Sequence, residues 1–146
     1  MAEENNQYTV LVVEDELPLQ RIVEQKLTAK GFNVLTATSV SQALEILQEK
    51  DSVDVIWLDH YLYGTEDGLG MIVELKGEGS HWRRIPVFVV SNTVGGDKAR
   101  MYLRLGAEKF YTKANHKLED IITDIEDHLS GKNTDDADTG ISFDTA

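Results

Sequence analysis

Three short runs in this chain, "VLVV" at residues 10–13, "VIWL" at 55–58 and "VFVV" at 87–90, are apolar at every position. Side chains alternate between the two faces of a strand, so such a run is stable only where both faces are covered. That is the condition of a parallel sheet with helices packed on either side. Two further runs, 33–36 and 109–111, are more polar and suit the edges of the sheet; the "VIWL" run is read as starting at 53. Segments of helical period lie between the runs. The first holds Leu19, Ile22, Val23, Lys26 and Leu27 at helix spacing, with Pro18 in its first turn and Gly31 as its stop. A second helix is expected after Ser41 as N-cap, ahead of Ala43, Leu44 and Leu47. A third spans about 69–76, and a fourth 97–105 before Gly106. The last carries Leu118, Ile121, Ile122, Ile125 and Leu129 as one apolar stripe. Five βα units result, which makes an α/β fold: one five-stranded parallel sheet with helices on both faces.

A chain of 146 residues is long enough for one such core. Residues 1–130 are assigned to it. The segment 131–146 is acidic and poor in apolar residues, and reads as a disordered tail. That tail holds four Asp and one Lys, net −3, so of the total charge of −12 the remainder keeps −9. Phosphate backbones and anionic lipids repel such a surface, which argues against direct nucleic-acid binding. No cysteine is present, which removes disulfides, thiolate metal sites and cysteine nucleophiles. The polar start "MAEENNQYT" has no leader character and no run is long enough to span a bilayer, so a soluble, cytoplasmic protein without membrane insertion is expected.

In an open parallel sheet, ligands bind outside the carboxyl ends of the strands, where the strand order reverses. Two strands end there in acids: the first at Glu14 and Asp15, the third at Asp59. Three carboxylates in one place repel one another unless a cation sits among them. Oxygen ligands alone favour a hard cation, and a site with few protein ligands suits Mg²⁺, which completes its shell with water and phosphate oxygens. Ser91 follows the fourth run and Lys113 the fifth, so a hydroxyl and an ammonium emerge at the same edge, both suited to a phosphoryl group.

With "VLVVEDE", "VDVIWLDHYL", "IPVFVVSN" and "GAEKFYTK" in that order on a βα skeleton, the chain resembles the response regulator receiver domains of two-component signalling, from residue 10 to about 129. The resemblance implies a doubly wound, flavodoxin-like sheet. It also implies that Asp59 is the phospho-acceptor, supplied by a sensor histidine kinase or histidine phosphotransfer protein. Asp15 and Asp59 would bind Mg²⁺ directly, Glu14 through water, and Tyr61 through its backbone carbonyl. Lys113 would pair with the phosphoryl group. Ser91 and Tyr111 would switch the face made by the fourth helix, fifth strand and fifth helix toward a downstream protein target, which leaves room for a phosphorylation-linked homodimer. Such a protein is not an enzyme beyond its own phosphorylation and dephosphorylation. The pattern departs from the family at Ala114, where proline in a cis bond is usual after the lysine, and at Tyr63, where proline is also common. Asn92 stands where a small residue is usual, and Tyr61 and Thr93 occupy positions that tune dephosphorylation.

Each residue has a plainer reading by itself. Acids after strands are often caps or solvated, a serine there is often a cap, and Lys113 alone is one surface lysine among many; it is their order that favours a site. Glu16 reads as solvated. His60, His81, His116 and His128 lack ligand spacing and read as surface or loop residues. Trp57 reads as core, and "HWRR" at 81–84 as a loop. With no effector domain after residue 130, a stand-alone receiver is expected. Two alternatives stay open: a degenerate receiver that binds partners without phosphorylation, and an aspartyl-phosphate phosphohydrolase. The second lacks a carboxylate at Tyr61 and an insertion long enough for a cap.

Overall fold

The structure, a computed structural model, describes residues 8–60, 67–92, 96–113 and 116–131. Within them five strands and five helices alternate: β1 (Thr9–Val13), α1 (Leu17–Ala29), β2 (Asn33–Ala37), α2 (Val40–Glu49), β3 (Val55–Leu58), α3 (Gly68–Lys76), β4 (Val87–Ser91), α4 (Gly96–Leu105), β5 (Lys109–Thr112) and α5 (Leu118–Ser130). The strands are all parallel, in the order β2-β1-β3-β4-β5, and the two more polar runs are indeed the edges. Strand order reverses between β1 and β3, which opens the crevice at their carboxyl ends.

Period-two alternation along each strand sorts the core into two layers. Leu11, Val13, Ile56, Leu58, Val87 and Val89 face Val40, Ala43 and Leu47 of α2, Met71, Ile72 and Leu75 of α3, and Tyr102 of α4. Val10, Val12, Val55, Trp57, Phe88 and Val90 face Val23 and Leu27 of α1 and Ile121, Ile122 and Ile125 of α5. Both faces of the three central strands are therefore sealed, which is why those runs tolerate no polar residue. Trp57 is core, as expected. No helix among the described residues is long and apolar enough to cross a membrane.

Three local expectations are corrected. The N-cap of α2 is Ser39, whose hydroxyl accepts from the Gln42 amide at 3.1 Å, and Ser41 lies inside the first turn. The Gln42 side chain in turn accepts from the Thr38 amide at 2.8 Å, so "SVSQ" behaves as a capping box shifted by one residue. On α1, Ile22 is 44% exposed, and Gln20 joins Val23 and Leu27 as the buried positions. Ser91 is the last residue of β4 and lies within the strand. Residues 1–7, Tyr61, Tyr63, Thr93, Ala114 and the segment 132–146 lie outside the described residues, as do the readings made of them.

Candidate metal centre

Register aligns the acids. Val13 of β1 pairs with Leu58 of β3, so Glu14 and Asp59 leave neighbouring strands at the same level. The ladder continues one step past the strands: the Glu14 amide donates to the Ala37 carbonyl at 3.0 Å, and the Asp59 amide to the Val13 carbonyl at 3.0 Å. Neither backbone is free to splay. Gln20 adds a second tie, its side-chain amide donating to the carbonyls of Glu14 at 2.9 Å and Ala37 at 3.2 Å. Its role was missed from sequence, although its spacing of three and seven residues before Val23 and Leu27 places it on the buried stripe of α1.

Glu14, Asp15 and Asp59 each bring a carboxylate oxygen within 4.8 Å of the others. Glu14 and Asp59 are buried, and Asp15 is partly open to solvent. The Glu14 carboxylate accepts from the Glu16 amide at 3.1 Å, and Asp59 Oδ1 from the His60 amide at 2.9 Å. Lys113 Nζ lies 3.2 Å from Glu14 Oε1 and 3.7 Å from Asp59 Oδ1, its side chain only 16% exposed. It is positioned by β5, where its amide donates to the Ser91 carbonyl at 2.8 Å. Ser91 is fully buried at the end of β4, beside Thr112 in the register. Tyr111 is buried, its ring parallel to Phe88 and its hydroxyl donating to Asp124 Oδ2 of α5 at 2.7 Å. Glu16 is exposed, as read from sequence.

Three carboxylates against one ammonium leave the cluster short of positive charge. Burial, together with the Glu14 charge, pushes the Asp59 carboxyl up to about 7, while Lys113 and the His60 amide pull the other way. Burial raises Glu14 as well. All donors are oxygens, two of them buried and pinned by backbone, so the set fits a hard divalent cation whose shell is completed from the open side at Asp15.

His60 departs from its sequence reading: it is 3% exposed, with Nδ1 2.6 Å from the Tyr102 hydroxyl. Burial and Lys98 lower its pKa. The signal available in sequence was position, two residues past the end of a strand sealed on both faces. His128 is half-buried with its ring edge against Phe88, and His116 stands edge-on to Tyr111; neither belongs to the acidic cluster.

The model of the response regulator receiver domain matches residues 10–126. A protein of Rickettsia conorii described as an NtrX-like response regulator is 33% identical over 121 residues, which are 81% of this chain and 25% of that protein. The chain thus spans about a quarter of the length of that relative. Among solved structures, a two-component response regulator from Clostridium difficile superposes with a TM-score of 0.77 at 16% identity, covering 88% of this chain and all of that one. The Mn²⁺-bound form of response regulator Rcp1 gives 0.70 at 23% identity, over 84% of this chain and 94% of that one.

Proposed function

Because the chain belongs to the response regulator receiver domain family, we propose that it accepts a phosphoryl group on Asp59 from the phosphohistidine of a sensor kinase or phosphotransfer protein. The observation that carries this is Lys113 Nζ held at 3.2 and 3.7 Å from Glu14 and Asp59, within a cluster of three carboxylates at the switch crevice. In the transfer, a carboxylate oxygen of Asp59 forms a bond to phosphorus. The nitrogen–phosphorus bond of the donor breaks, and its electron pair returns to the donor's imidazole. Lys113 offsets the charge on the phosphoryl oxygens, and the backbone ties on Glu14 and Asp59 hold the acceptor still while the donor approaches. Glu14, Asp15 and Asp59 are the residues that would hold Mg²⁺, whose charge would keep Asp59 ionised at neutral pH and screen the incoming phosphoryl group.

The product is an acyl phosphate bearing about 1.5 to 2 negative charges beside Lys113 and close to Ser91. In this reading, Ser91 and Tyr111 answer that charge, and the surface of α4, β5 and α5 docks on a downstream protein. Turnover of external substrates forms no part of it. The Mn²⁺-bound state of Rcp1 supports a divalent ion in a receiver fold of this kind. Incubation with Mg²⁺ and acetyl phosphate, followed by intact mass, should add one phosphoryl group to the wild type and none to Asp59→Asn. Equal labelling of the two would remove Asp59 from this role, and no labelling of either would favour a receiver that acts unphosphorylated.

A further inference from the structure

His60, next to the acceptor, is tied to three elements. Its amide donates to Asp59 Oδ1 at 2.9 Å, and its carbonyl accepts from the amide of Gly68, the first residue of α3, at 2.8 Å. Its ring Nδ1 lies 2.6 Å from the hydroxyl of Tyr102 on α4, with the rings edge-to-face at 5.7 Å. Both side chains are sealed, His60 at 3% exposure and Tyr102 at 0%. Close packing leaves this junction no slack: a Cβ at Gly68 would collide with the Tyr102 hydroxyl, and would come within 2.9 Å of the Asp59 carbonyl and 3.0 Å of the His60 Cα. The end of β3, the start of α3 and the inner face of α4 therefore meet at one histidine.

We propose that His60 is a positioning residue for phosphoryl acceptance: its amide orients the Asp59 carboxylate, its ring is anchored by Tyr102, and the pair couples α4 directly to the acceptor. The inference rests on the phospho-acceptor reading above. In a closely packed interior, a side chain moves only if its neighbours move, and a buried polar pair is costly to separate without new partners. A displacement of α4 therefore draws on the His60 ring, and through its backbone on Asp59 Oδ1. The same path in reverse carries a change at Asp59 to α4, at a point separate from Ser91 and Tyr111. Because α4 belongs to the proposed docking surface, the path would run between acceptor and output.

The test is a double-mutant cycle on full-length protein, with Mg²⁺ and beryllofluoride as the acyl-phosphate mimic. Affinity is read by tryptophan fluorescence, and unfolding by denaturant is measured in parallel. His60→Ala and Tyr102→Phe should each weaken beryllofluoride binding about tenfold, with the double variant no weaker than the weaker single. His60→Asn, which returns a polar atom near the place of Nδ1, should recover most of the loss. The Tyr102 amide resonance should shift on beryllofluoride binding in the wild type and His60→Asn, and stay still in His60→Ala, which a purely structural role would not produce. Affinities equal to wild type, or losses that multiply in the double variant, overturn the coupling while leaving the acceptor intact. A wild type blind to beryllofluoride overturns the acceptor reading itself, and the coupling with it. If His60→Ala does not fold, Tyr102→Phe and His60→Asn carry the same comparison.

Discussion

At the scale of single residues, the acidic cluster sets function against stability, and the sign can be worked out for Asp59. Its ordinary value is 3.8 and its folded value is about 7, so between these limits the folded state holds the extra proton. Stability from this group is therefore complete below about pH 4 and is lost as pH rises through 7. Asp59→Asn removes the titrating charge. In chelator at pH 8 it should stabilise the protein by on the order of 1–3 kcal/mol, with the gain fading toward pH 4. Urea unfolding across that range checks this; a variant less stable than wild type at pH 8 would mean that Lys113 more than balances the repulsion.

At the scale of elements, the same physics that made the helices legible misplaced their ends. Ser39 and Ser41 both precede Ala43, Leu44 and Leu47, and what distinguishes them is that the Ser39 hydroxyl accepts from the Gln42 amide while the Gln42 side chain reaches back to Thr38. Ser39→Ala should cost about 1 kcal/mol, whereas Ser41→Ala should stay within a few tenths; chemical denaturation of the two side by side decides between the caps. The central strands were clear because burial on both faces admits only apolar residues, and the edges because it does not. Glu14, Asp15, Asp59 and Lys113 could be placed at one edge because strand ends fix where side chains emerge. Gln20 and His60 could not be: a polar residue at a buried position carries no mark of which carbonyl or hydroxyl will satisfy it, since Ala37 and Tyr102 arrive from distant elements. Ile22 shows the converse, because an apolar residue at helix spacing lies on the core face only if the stripe is centred where it was drawn.

At the scale of the whole molecule, the parallel sheet separates two edges. Every strand delivers its carboxyl end to the side bearing Glu14, Asp59, Ser91 and Lys113, and every helix returns the chain to the other side. At that far side the Tyr8 hydroxyl donates to the Leu129 carbonyl at 3.2 Å, so the start of β1 and the end of α5 lie within a tyrosine's length of each other. Circular permutation should therefore be tolerated, because a short glycine-serine bridge can replace the gap without crossing the crevice. A permutant joined from Gly131 to Tyr8 and opened at Gly79, in the turn between α3 and β4, should keep its cooperative unfolding and its response to beryllofluoride. Loss of that response in a folded permutant would show that continuity of the chain, and not only the assembled sheet, shapes the crevice.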